Sequence, residues 1–252
     1  MKRVDSVISL IYSMSKAEKK AFSVQMLKDK EEKDYLVIYD IITKSKQLDS
    51  KNVKGEFHKR RPGGSFEVSI QYLYERLTDS LLTLRKKKDI YYDLLNNLCK
   101  ARMLYERSLF EECFEILSDT IEQATYYENN EVLTIALKLE LEYLLRLNFP
   151  NLAESELYHK HFMQNEALKK TRKIVEQSSL HNLLKYRLSH IGSIRTSKQK
   201  QDMNDLMVNE LSIAASSGIE GNFELMRNHR LFQANYLMGA GEYKAALNSY
   251  KE

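Results

Sequence analysis

Imidazoles, thiols and paired carboxylates are the side chains here that could do chemistry, and their spacing argues against it. His159 and His161 could share a metal only by facing the same way, but two residues along a helix turn through about 200°. His181 and His190 are separated by about 180° of helical turn and are equally ill placed to share an ion or a proton. Cys99 and Cys113, the 2 cysteines of the chain, lack zinc-ligand spacing and cannot build a disulfide framework, so a reducing, cytoplasmic setting is expected. Cys113 reads as a small buried hydrophobe. The carboxylate pairs Glu111-Glu112 and Glu140 with Glu142 lie among many other charges. A catalytic dyad needs burial to push its two pKa values apart, so solvated faces are expected for these pairs. There is no His-Glu-x-x-His, no phosphate-cradling glycine loop and no Gly-x-Ser-x-Gly elbow. No catalytic residue, metal or cofactor is expected, and a non-enzyme is the favoured reading.

The cations could instead do recognition. His58, Lys59, Arg60 and Arg61 form one run and Arg85, Lys86, Lys87 and Lys88 another, and together they could bracket a phosphate backbone. The competing reading makes them a solvated loop and a cap that meets exposed helix carbonyls. Residues 1–88 carry 20 Lys+Arg and 12 Asp+Glu, a balance of +8, whereas residues 89–252 carry 19 and 23, a balance of −4. That asymmetry divides the chain into a basic N-terminal region, 1–88, and an acidic remainder, 89–252. The net charge of +4 does not by itself imply nucleic acid.

The elements that must position these groups are helices. Only 2 prolines and 8 glycines occur, where average usage would give about 13 and 18, and sheet folds need more turn residues than that. With 43% hydrophobic residues the chain can bury a sizeable core. No stretch approaches the roughly 18 uncharged apolar residues of a membrane span, and the apolar run after Met1-Lys2-Arg3 is too short for a secretory signal. An all-α protein that does not enter a membrane is expected.

Residues 4–14 read as a helix, and Ser15-Lys16-Ala17-Glu18 supplies a capping box for the next. Tyr35, Leu36, Ile38, Tyr39, Ile41 and Ile42 give helical spacing for a third. Residues 46–64 hold three of the glycines and Pro62, and predict a loop. Ser65 opens a long helix whose expected stripe is Val68, Tyr72, Leu73, Leu77, Leu81, Leu82 and Leu84. Beyond it the spacing predicts helices at about 90–106, 109–127, 131–147, 151–164, 166–191, 203–216, 222–238 and 242–252. Asn129-Asn130, Asn148-Phe149-Pro150, Gly192, Gly218 to Gly221 and Gly239-Ala240-Gly241 punctuate them.

Two helix pairs align at a constant offset of 133 residues. Leu98, Ala101, Leu104, Phe110, Cys113, Phe114 and Leu117 match Leu231, Ala234, Leu237, Tyr243, Ala246, Leu247 and Tyr250. Small residues let two helices of a hairpin approach, and the aromatic fills the wedge beside them. At these residues the chain resembles the tetratricopeptide repeat (TPR), most strongly over Gly241-Glu242-Tyr243-Lys244-Ala245-Ala246-Leu247 and Tyr250. A weaker resemblance, through Leu10, the run Ser15 to Phe22 and Asp34 to Ile42, is to the opening of uncharacterised TPR-like proteins of Bacteroidetes.

The resemblance implies an α-solenoid of stacked antiparallel hairpins over 89–252, preceded by an N-terminal helical bundle. It also implies a scaffold function, with a peptide or partner helix held in a concave groove. Groove-lining positions expected on the first helices are Asn97, Lys100, Tyr105, Gln233 and Tyr236. Lys251-Glu252 fall inside the second helix of a repeat with no cap behind them, so a longer polypeptide is expected. The alternative is a regulator whose basic region binds nucleic acid while the solenoid acts as a sensor.

Overall fold

The computed structural model describes residues 2–26, 33–44, 49–86, 88–192, 194–217 and 222–251, which are all α-helix and turn, with no strand among them. Lys87, residues 46–48 of the expected loop, Glu252 and the glycine punctuation at 218–221 lie outside the described residues. The chain divides into two compact units, Met1–Asp93 and Leu94–Glu252, whose boundary lies a few residues beyond the charge break at 88/89.

The first unit contains α1 (Lys2–Ser13), α2 (Lys16–Met26), α3 (Asp34–Lys44), α4 (Ser50–Arg60) and α5 (Phe66–Lys86). The capping box forms as the sequence requires. Ser15 N–H donates to Glu18 Oε2 at 2.7 Å, and Glu18 N–H donates to Ser15 Oγ at 3.3 Å. Phe22, Ile38, Ile42, Val53, Phe57, Leu73 and Leu77 are wholly enclosed in one core.

Two sequence expectations fail here. Residues 50–60 are helix, not loop: Asp49 caps α4 by accepting from Asn52 N–H at 2.8 Å, and Val53 and Phe57, four apart, both enter the core. The polar density and Gly55 masked this single-turn stripe. On α5 the buried face is Phe66, Ile70, Leu73 and Leu77, while Val68, Tyr72 and Leu82 are exposed. The 3.6-residue period starting at Phe66 turns position 68 about 200° away from the core.

The second unit runs through α6 (Ile90–Glu106), α7 (Phe110–Tyr126), α8 (Asn130–Arg146), α9 (Glu154–Ile191), α10 (Ser197–Gln201), α11 (Asn204–Ser217), α12 (Phe223–Gly239) and α13 (Tyr243–Lys251), α6 beginning just before the division. Helices α6, α7 and α8 have 17 residues each and begin at 90, 110 and 130, so helix plus turn repeats every 20 residues.

The turns share one geometry. Ser108, Glu128 and Asn148 adopt left-handed backbone with φ of 62°, 53° and 58°. The next N–H groups, on Leu109, Asn129 and Phe149, donate to the carbonyls of Leu104, Ala124 and Leu144 at 3.0, 2.8 and 2.8 Å. This back-bond satisfies a carbonyl that the helix end would otherwise leave open. The turn from α12 to α13 repeats it: Gly241 has φ 82° and Glu242 N–H donates to Leu237 O at 2.9 Å. Adding 133 to 90, 108 and 110 gives 223, 241 and 243, so the sequence offset is also an offset of helix starts and turn. Its small residues Ala101, Cys113, Ala234 and Ala246 are all buried, whereas the large ones of the later pair, Tyr243, Leu247 and Tyr250, are exposed.

The regular series ends at α9. Expected helices at 151–164 and 166–191 are one 38-residue helix, because Glu166-Ala167-Leu168-Lys169 offers helix formers where a turn would be needed. Its first half packs on α8 and its second on α11 and α12. The polar stretch 194–201 holds the short α10, capped by Thr196 with Gln199. Leu184, Ile194, Met203, Leu206 and Phe232 form the core at this end.

Candidate functional site

A groove lies between α7 and α9, with α8 beneath its narrower part. Its wider part, about 930 Å³, is walled by Ser118, Asp119, Ile121, Glu122, Gln123, Thr125 and Tyr126 of α7 and Tyr127 of its turn, with Met163 of α9 opposite. Its narrower part, about 520 Å³, has Leu137, Glu140 and Leu144 of α8 as floor and Ser155, Glu156, His159 and Lys160 of α9 as wall. The two parts meet at Ile121 and Met163, which line both. Tyr126 and Tyr127 stand edge to face at one end, 79% and 54% exposed.

Glu140 is the feature in this groove that the sequence reading missed. It lies on the core-facing side of α8, four residues from both Ala136 and Leu144, and is only 6% exposed. Oε1 accepts from Lys160 Nζ at 2.8 Å, while Oε2 is buried without a hydrogen-bond partner. The expected solvated face is therefore corrected for Glu140. Glu142, in contrast, pairs on the surface with Arg146. The signal available in the sequence was a charge set inside an otherwise apolar stripe.

A second polar cluster lies between α9, α11 and α12. Glu210, 1% exposed, meets His229 Nδ1 at 2.5 Å, and His229 Nε2 meets Gln233 Nε2 at 2.9 Å. A ring protonated on Nδ1 and bare on Nε2 satisfies both contacts. The series ends on an amide, which has no nucleophile for the imidazole to activate. Nearby, Asn235 Nδ2 donates to His181 Nε2 at 3.0 Å, and burial holds the His181 imidazole below its ordinary pKa. Burial likewise raises the Cys113 thiol, consistent with a packing role.

The residues expected to line a groove go to different places. Tyr105 stacks on the buried Tyr143 with ring centroids 3.7 Å apart, so it packs within the chain. Gln233 is engaged with His229, and Tyr236 packs on the core around Phe232. Lys100 is exposed and donates to Asn97 Oδ1 at 3.1 Å. None of these five lines the groove over α8, whose walls come from α7 and α9.

The cations considered for nucleic acid are not on a free loop. Lys59 and Arg60 lie in the last turn of α4, and Arg61 caps it. They pair with Glu56, Asp40 and Asp34 at 2.6, 3.1 and 3.7 Å. Arg85 and Lys86 close α5, and Arg85 and Lys88 act electrostatically on Glu18.

Among the described residues no group of three or more His, Cys, Asp or Glu is placed to hold a metal ion, and no helix is long and apolar enough to cross a membrane. Compared with protein-family models, curated proteins and solved structures, the chain has no match.

Proposed function

We propose that this chain is a non-catalytic interaction module, TPR-like in its hairpins, that holds a peptide or a partner helix in the groove over α8. The observation that carries this reading is the groove itself, open along α7 and α9 with apolar floor residues and polar walls. Stacked helices hold ligands in this way, through shallow apolar pockets and side-chain hydrogen bonds along the rim. The free thiols Cys99 and Cys113 suit a reducing, cytoplasmic setting. The nucleic-acid alternative has less support, because Lys59, Arg60 and Arg61 each face a carboxylate of their own unit.

The test is selection of displayed random peptides on the full chain, counter-screened with Ser155→Trp. Ser155 is exposed and lines the narrower part, so an indole there fills the groove without entering the core. Enriched peptides that lose binding to the variant are expected. No enrichment, or equal binding to both proteins, would overturn the reading.

A further inference from the structure

The groove also carries information about the charge of its occupant. Helix α7 has five acidic residues, Glu111, Glu112, Glu115, Asp119 and Glu122, and no Lys or Arg. Asp119 and Glu122 line the wider part of the groove, and Glu140 and Glu156 the narrower. The cation among the described lining residues is Lys160, and it is already committed to Glu140 Oε1.

An acidic surface alone would say little, but Glu140 adds an independent observation. Its side chain is 8% exposed, and one of its two oxygens has no donor. A buried carboxylate is stable only when its lone pairs are met, and a half-met one carries a desolvation cost that a further donor removes. The Lys160 ammonium donates to Oε1 and not to Oε2, and the floor residues Leu137 and Leu144 carry no donor.

We infer that the groove binds a basic peptide segment, with a Lys or Arg side chain donating to Glu140 Oε2 and neighbouring cations facing Asp119 and Glu122. This rests on the peptide-binding reading above and adds the chemistry of the occupant. Oε2 is buried in the structure, so binding requires the Glu140 side chain to turn this atom toward the groove. The exposed rings of Tyr126 and Tyr127 offer π faces to a further cation at the wide end. Nucleic acid, bearing the opposite charge, is disfavoured by the same residues.

The experiment is fluorescence polarisation of the full chain with three labelled peptides of one length and one spacing of Leu, the intervening residues being all Lys, all Gln or all Glu. The Lys peptide should bind, and Glu140→Gln should weaken it about tenfold, as losing a hydrogen bond to a charged group does. Glu111→Gln removes the same charge from α7 outside the groove and should change binding less than about twofold. Should Glu140→Gln fail to fold, the exposed pair Asp119→Asn with Glu122→Gln should cost about fivefold.

Equal losses for Glu140→Gln and Glu111→Gln would overturn the inference by showing diffuse attraction, as would failure of the Lys peptide to bind. A Gln or Glu peptide that binds as well as the Lys peptide and is excluded by Ser155→Trp would overturn the basic occupant. It would leave the peptide-binding reading in place.

Discussion

Gly239 ends α12 where that helix presses on α9, and its substitution tests how tightly the two are fitted. A Cβ built there would sit 2.5 Å from Leu188 Cδ2 and 3.2 Å from Cδ1, where carbon atoms prefer 3.5–4.0 Å. The backbone cannot retreat freely, because Gly239 O accepts from Ile194 N–H at 2.8 Å. The half-buried Leu188 side chain must therefore shift against the core around Leu184 and Phe232. Overpacking of this kind costs about 1–3 kcal/mol, and the better helix propensity of alanine returns at most about 1 kcal/mol. Gly239→Ala should thus lose about 0–2 kcal/mol. In a Leu188→Ala background the clash is absent and the same change should be neutral or stabilising, a coupling of about 2 kcal/mol. The four proteins are compared by urea unfolding followed by helical circular dichroism, fitting the transition that Leu188→Ala displaces. Equal changes in both backgrounds, or no change in either, would refute the packing argument.

Other expectations follow from the same reasoning. Phe57→Ala should cost about 3–5 kcal/mol in denaturant unfolding because the ring is fully buried on α4; a cost below about 1 kcal/mol would mean that residues 50–60 behave as the loop their composition suggests. His181 has its pKa lowered from 6.5 by burial, with Lys185 adding to the shift. Its unfolded form then takes a proton first, so stability should fall as pH drops through and below about 6.5. His181→Gln should flatten that part of the stability profile, and an unchanged slope would contradict the assignment. Asp205 is held below its ordinary 3.8 chiefly by its hydrogen bonds to Arg187. The pair's contribution is therefore present above that value and lost as pH falls below it. Because Asp205 is exposed and Arg187 partly so, Arg187→Lys should cost no more than about 1 kcal/mol near neutral pH. It should also reduce the acid-limb slope, which a thermal melt series below pH 5 would read.

Helix boundaries in the second unit were legible where a break was written in residue type. Asn129-Asn130, Asn148-Phe149-Pro150 and Gly239-Ala240-Gly241 all stand where helices end. The common shape of the turns was not legible, because Ser108, Glu128 and Asn148 take a left-handed conformation that glycine takes at 241. Backbone hydrogen bonds hold those residues there, and four different side chains carry no shared signature. The missing break in α9 is the converse case, since helix formers at 166–169 continue what packing on α8 begins. Cys113 was legible as packing because a small apolar position in a hairpin has few other uses. Glu140 was not, because Lys138 and Glu142 two residues to either side made it read as one more surface charge, whereas its place between Ala136 and Leu144 on the helix buries it.

The length of α9 has a mechanical consequence. At about 1.5 Å per residue its 38 residues make a rod of about 57 Å, supported by α8 at one end and by α11 and α12 at the other. A ladder of short hairpins absorbs a distortion joint by joint, each turn yielding a little. A continuous helix has no joint to yield. Tilting such a rod by about 5° at its first turns, where Glu156 and Lys160 face the groove, would swing the far end by about 5 Å. The His181–Asn235 bond and the Arg187–Asp205 fork are the stays that resist this swing. Were those stays cut, an angle imposed at one end of α9 would become a displacement at the other.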